Sequence, residues 1–284
     1  MDISSKKLVS YIIPWCDRSE LAITLDGNRK LFSAESSQVI IVNAGGNFAW
    51  LKTIVTKHRM PNVELVNIDV PSFNKCTCFN VGASYAVADK IFLLDCDVTV
   101  PAEVIDESVA ALNNGNFITI QDGIESDPEG HYQVLKVPFY IERKVVSRFL
   151  FDNGNSASVE FQQSNHGRSL CGLMLLYKDH YIEVGGCDSR IKGWGFEDYD
   201  LQIRLQAQLG LQRVSLGRAT HITHATAPAD DLTLNNKRNT EQCFKRYSSG
   251  NFLGTYAEDV EYTKSRCTRI AAEKFEEISS LSNK

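Results

Sequence analysis

The sequence predicts an α/β protein: a doubly wound, mostly parallel sheet flanked by helices, in a single two-lobed domain. Three observations predict it. Four short apolar runs alternate with segments of helical spacing through the first hundred residues, the pattern of parallel strands joined by right-handed crossovers. The 284 residues suffice for a full core, and 43% hydrophobic with 23% charged residues is an ordinary soluble composition. No internal repeat, low-complexity tract or linker divides the chain.

The elements follow in order. Leu8–Pro14 (LVSYIIP) reads as a buried strand ended by Pro14, and Arg18–Phe32 as a helix weakened by Gly27. Gln38–Gly46 is a second strand closing on glycines, Phe48–His58 a helix, and Val63–Asp69 a third strand. Thr77–Ala88 has helical spacing, and Lys90–Asp97 (KIFLLDCD) is the fourth strand. Residues 1–100 form the first lobe and 101–245 the second. In the second lobe Pro101–Asn113 reads as a helix and Asn116–Asp122 as a strand. Phe151–His166, rich in Asn, Ser and Gly, reads as a long surface loop or lid, and Leu170–Tyr177 as a buried strand. Lys192–Leu205 (KGWGFEDYDLQIRL) runs from a glycine-flanked tryptophan through clustered acids into an amphipathic helix. The tail, residues 246–284, reads as helical from Ala257 onward and is nearly balanced in charge. Parallel sheets of this kind bind ligands beyond the carboxyl ends of their strands, which singles out Pro14–Arg18, Asn43–Gly46 and Asp95–Asp97.

A formal net charge of −5 argues against a nucleic-acid partner. No apolar run approaches the roughly 20 residues that span a bilayer. MDISSKKLVSYIIPW lacks the apolar core and small-residue cleavage site of a secretory signal. The eight cysteines have no paired C-x-x-C spacing and read as buried free thiols of a cytoplasmic protein.

Four constellations can carry chemistry. Asp95 and Asp97 flank Cys96 at the end of the fourth strand, where two carboxylates can hold a divalent cation with its phosphates; a solvated turn is the alternative. His221 and His224 stand three apart in HITH, and imidazole together with carboxylate and phosphate oxygen suits manganese better than magnesium or calcium. Phe73-Asn74-Lys75 offers a ring and a cation that could clamp a nucleobase and its phosphates, or equally a helix start with a core phenylalanine. Trp15 and Arg18 lie just beyond the first strand, where they could stack on a base and meet a diphosphate; Arg18 taken alone reads rather as a solvated surface arginine.

Five segments, IIPWCDR, FNKCTCFNVG, LLDCDV, GWGFEDYD and HITH, occur in an order and spacing that resembles the metal-dependent GT-A glycosyltransferases. The likeness is to the β-1,4-galactosyltransferase and chondroitin-synthase-like group and to bacterial family-two glycosyltransferases, and it covers about Leu8 to Asn236. The resemblance implies that Asp95 contacts the nucleotide, that Asp97 and His224, with His221, bind manganese (magnesium as the alternative), and that Pro14, Trp15, Arg18, Phe73 and Lys75 line the nucleotide site. It further implies that Trp194 and Gly195 lie against the sugars, that Glu197 holds a sugar hydroxyl, and that Asp198 is the catalytic base. Phe196 replaces a glycine of the family pattern and Tyr199 an aspartate that often grips the acceptor, which puts the acceptor in doubt.

The chemistry agrees with these roles. A sugar hydroxyl is a poor nucleophile, so a carboxylate must take its proton, while the anomeric carbon gains oxocarbenium character as in glycoside hydrolysis. At a helix start the dipole lowers the Asp198 pKa, whereas burial and Glu197 raise it. The expected function is an inverting transfer of a hexose or N-acetylhexosamine from a UDP-sugar to a glycan or lipid-linked glycan. It is expected in the cytoplasm or at the inner face of the membrane, where peripheral contact is compatible with the sequence. Residues 1–100 would be the nucleotide-binding lobe and 101–245 the acceptor-binding lobe. Two rivals stand beside it: a nucleotide-sugar-binding module without turnover, and a sugar nucleotidyltransferase, whose glycine-rich loop after the first strand is missing from PWCDRSE.

Overall fold

The computed structural model describes residues 8–126, 141–152, 154–164, 167–224 and 229–270. In chain order the elements are β1 (Val9–Trp15), α1 (Leu21–Gly27), α2 (Arg29–Phe32), β2 (Ser37–Ala44), α3 (Phe48–His58), β3 (Val63–Ile68), α4 (Lys75–Tyr85), β4 (Lys90–Leu93), β5 (Val98–Thr99) and α5 (Ala102–Ala111). The second half adds β6 (Asn116–Glu125), β7 (Glu142–Leu150), β8 (Ser156–Ser164), β9 (Gly167–Tyr177), α6 (Lys178–Glu183), α7 (Glu197–Leu209), β10 (Gln212–His221), α8 (Ala229–Ser248), α9 (Tyr256–Thr263) and β11 (Cys267–Ile270).

One sheet runs through both halves in the order β11-β3-β2-β1-β4-β9-β6-β10-β5, with the β7–β8 hairpin attached to β9. β1 to β4 are mutually parallel. β9 runs against β4 and β6, and β6 is parallel to β10. The carboxyl ends of β1 to β4, β6 and β10 therefore open on one edge. Strand alternation divides the core between the two faces. Tyr11, Ile13, Val39 and Ile41 pack with α1, α2, α3 and α5, whereas Ile12, Ile40 and Val42 pack with α4, α6 and α7.

Several elements differ from the sequence expectation, each for a physical reason. The helix expected over Arg18–Phe32 is two helices, because Asn28 turns its amide onto β5: its Nδ2 donates to Val98 O at 2.9 Å and its Oδ1 accepts from Val100 N at 2.8 Å. Gly27 lies so close to Thr99 that a Cβ there would be 2.4 Å from its methyl. The fourth strand ends at Leu93, and Leu94–Asp97 form a loop rather than a continuation. The helix expected from Thr77 begins at Lys75, since Asn74 caps it by accepting from Thr77 N at 3.0 Å. The loop or lid expected over Phe151–His166 is largely strand: β8 pairs with β7 from Ser156↔Leu150 to Ser164↔Glu142. Its Ala157 and Val159 are buried against Ile203 of α7, while its polar residues take the other face. In the tail α9 is helical, but Cys267–Ile270 form a strand antiparallel to β3; residues 271–284 lie outside the described residues.

Candidate active site

Two clusters meet at the carboxyl edge. The first is built by the short β5, which pairs antiparallel with the end of β10 and sets Val98 opposite His221. Ile222 N donates to Asp97 O at 2.8 Å, closing the same junction. The Asp97 carboxylate consequently lies 2.9 Å from His224 Nε2 and 3.8 Å from His221 Nε2. One donor atom from each of these three residues falls within 4.8 Å of the others. Glu125 ends β6 in register with His221. Its carboxylate is 2.8 Å from His221 Nδ1 and accepts from Thr223 Oγ1 at 3.1 Å, the kind of outer partner that orients a ligating imidazole. The Arg18 guanidinium lies 2.8 Å from His224 Nδ1, on the far side of the ring from Asp97; ligation through Nε2 would require that nitrogen to be free of its proton. Burial alone would raise the Asp97 pKa; the hydrogen bond from His224 and the neighbouring cations outweigh it and hold the carboxyl below its ordinary value. Two imidazole nitrogens with one carboxylate oxygen fit a manganese-type divalent ion better than magnesium or calcium, which favour all-oxygen sets.

The second cluster is centred on Lys75, in the first turn of α4. Its ammonium is 2.9 Å from Asp95, 3.6 Å from Glu197 and 3.6 Å from Asp198. Burial would strip its proton, but the three carboxylates win and hold its pKa well above the ordinary lysine value. Asp95 and Asp97, though two residues apart, thus serve different clusters. Asp198 leans on Gly172 of β9 so closely that a Cβ there would sit 2.4 Å from its Oδ2. With 31% of its side chain reaching solvent, its carboxyl is otherwise enclosed by protein. Burial is the largest influence on it and drives its pKa up to about 7; Lys75 opposes, and Glu197 and Asp95 add to the rise.

The Trp194 loop explains the clustered acids. Gly193 and Gly195 take φ of +71° and +105°, and Phe196 itself takes +71°. That conformation costs a non-glycine residue about 1–3 kcal/mol, and the Phe196 ring offsets it by packing edge-on against Tyr199 and Phe244. Glu197 turns back to accept from Gly195 N at 2.9 Å. From α8, the buried Asn239 donates to Lys192 O at 3.1 Å and Gly195 O at 2.9 Å, clasping the loop. Trp194 is left 53% exposed at the rim. Asp200 turns away from the cleft. It is fully buried and bonded by Arg204, Arg246 and Tyr247, and so ties α7 to α8. The Tyr199 hydroxyl donates to Glu160 O at 3.4 Å, toward the hairpin.

Of the residues expected around the nucleotide, Arg18, Lys75 and Asp95 reach the clusters, and Phe73 is 44% exposed beside them. Pro14 is buried within β1, beside Val42. Trp15 is a correction: its side chain is fully buried, donates to Arg18 O at 2.8 Å and packs edge-on against Trp50, so it cannot stack on a base. It shapes the Arg18 turn from beneath. Glu125, Gly172 and Asn239 carried no local sequence signal; strand register and helix packing alone bring them to the site.

Residues 155–225 match the family described as the N-terminal domain of galactosyltransferase. Human chondroitin sulfate N-acetylgalactosaminyltransferase 2 is 22% identical over 242 residues, covering 81% of this chain and 42% of its own length. The mouse protein of that name is 26% identical over 188 residues, covering 64% and 32%. The chain thus spans less than half the length of the curated relatives it matches. Among solved structures, GalNAc-T7 with UDP, GalNAc and Mn2+ superposes with a TM-score of 0.53 at 14% identity, covering 78% of this chain and 45% of that one. S. aureus TarS gives 0.51 at 12%, covering 76% and 37%.

Proposed function

We infer from its likeness to galactosyltransferase and to chondroitin N-acetylgalactosaminyltransferase, and from a fold shared with GalNAc-T7 and TarS, that this chain is a GT-A glycosyltransferase and moves a sugar from a nucleotide sugar to a glycan. The finer reading is an inverting transfer of a hexose or N-acetylhexosamine (galactose, N-acetylgalactosamine, glucose or N-acetylglucosamine) from a UDP-sugar. One observation carries it: Lys75 gathers Asp95, Glu197 and Asp198, while Asp97, two residues on from Asp95, faces His221 and His224.

Asp97, His221 and His224 would hold the divalent ion, which when bound neutralises the departing diphosphate. Arg18 and Lys75 supply fixed positive charge to the same phosphates. Trp194, raised on its glycine loop, covers a sugar face, and Glu197 accepts from a sugar hydroxyl. Asp198 takes the proton of the attacking hydroxyl. With a pKa near 7 it is about half ionised at neutral pH and basic enough to accept that proton, the compromise a general base needs. The eight free thiols support placing this chemistry in a reducing, cytoplasmic setting. No helix among the described residues is long and apolar enough to cross a membrane.

The test is UDP release from a panel of UDP-sugars, with glycan acceptors, with and without manganese. Manganese-dependent turnover is expected; binding of UDP-sugars with no release under any condition would leave only a sugar-nucleotide-binding module. Two variants refine the base. Gly172→Ala puts a methyl into the space of the Asp198 carboxylate, and displacement of about 1 Å is expected to lower kcat about 100-fold. Lys75→Gln removes the cation that favours ionised Asp198. The acid limb of the pH–rate profile, set near pH 7 in the parent, is therefore expected to move to higher pH; a limb that stays put or moves down refutes the pairing.

A further inference from the structure

A cavity of about 830 Å³ lies between the β7–β8 hairpin and the face of β6 and β10, and none of the residues of the Asp97 and Lys75 clusters lines it. Its described lining has no aromatic side chain and is dominated by amides, hydroxyls and charges, among them Gln121, Ser158 and Ser215. Lys144 and Arg213 converge there on one carboxylate, Glu160, at 2.8 and 3.7 Å. Two cations against one anion leave the cavity lining with one net positive charge; Glu142, farther along β7 from Lys144, is engaged by Gln162. Arg213 is only 14% exposed and is fixed by a 3.2 Å bond to Gln202 Oε1. The walls are equally fixed, since the Gln206 amide bonds both the N–H and the carbonyl of Ser158. The cavity is thus a rigid, wettable groove with a cationic end, lined for a polyhydroxylated ligand and not for an apolar one.

The cationic end backs onto the residues that hold Asp198. Glu160 O accepts from Tyr199, the next residue after Asp198. Gln202, held by Arg213, donates to Cys171 O beside Gly172. We propose that this groove binds a distal, acidic saccharide unit of the acceptor, with a carboxylate or sulfate completing the charge of Lys144 and Arg213. The proposal rests on the glycosyltransferase reading for the word acceptor, but the binding itself does not.

The experiment is calorimetric or NMR titration of the whole chain, without donor or metal, with two probes: a hyaluronan hexasaccharide, which alternates uronate and N-acetylhexosamine, and chitohexaose, which lacks the carboxylates. The acidic hexasaccharide is expected to bind more tightly than the neutral one. Lys144→Gln and Arg213→Gln are each expected to weaken it about tenfold, as loss of a charge-assisted contact does, leaving chitohexaose binding unchanged. No binding of the acidic probe, equal binding of both probes, or indifference to the substitutions overturns the proposal. Should Arg213→Gln unfold, the exposed Lys144→Gln decides alone. UDP release, measured separately, keeps the two readings apart: turnover without hexasaccharide binding removes only the groove, and binding without turnover removes only the enzyme.

Discussion

Asp198→Asn is expected to lower sugar transfer by about 10²–10⁴-fold, the usual worth of a positioned general base, while UDP affinity stays close to that of the parent. The amide keeps the shape of the side chain and its contact with Gly172, but it cannot accept a proton. Separate titrations of UDP and of initial rate decide the matter. A variant that turns over like the parent assigns the base elsewhere; one that loses UDP affinity in proportion to rate makes Asp198 a binding group. The side chain's raised pKa gives the same experiment a second readout. In the parent the rate is expected to climb with pH through about 7 as the carboxyl ionises, and in the asparagine variant any residual rate is expected to lose that limb.

Asp97→Ala is expected to abolish the response to manganese. The carboxylate is the one acidic member of the group formed with His221 and His224, and two imidazoles alone make a poorer site for a hard-leaning divalent ion. An ion present at about a hundred times its Kd stabilises the folded chain by about 2.7 kcal/mol, so the parent's melting temperature should rise with added manganese while the variant's stays flat. This readout needs no substrate. A variant that still shifts with manganese places the ion on other residues.

How much of this was legible in the sequence depends on the range of the force concerned. The strands of the first lobe were legible because burial on both faces makes them nearly all apolar, and their carboxyl ends pointed to the cleft. The break at Asn28 was not, because its cause is a pair of hydrogen bonds to residues some 70 positions away. The β7–β8 hairpin was hidden by composition: the serines and glutamines of β8 resemble a loop, and only the ladder with β7 makes them a strand. Trp15 misled because an aromatic ring at a strand end can turn inward or outward with equal local propriety. Asp97, His221 and His224 could be read from spacing and family pattern, but their outer partner Glu125 required the β6–β10 register. The raised pKa of Asp198 required knowing how deeply its carboxyl is buried and that Lys75 stands beside it, which only packing decides.

The distances along the chain at the cleft have a kinetic consequence. Asp97 and His224 are 127 positions apart, and Arg18 and His224 are 206 apart. Contacts that close such long spans form late, after the local and neighbouring-strand pairings that lower their entropic cost. A chain diluted from denaturant is therefore expected to recover its helix signal before the contacts of His224 with Asp97 and Arg18 close.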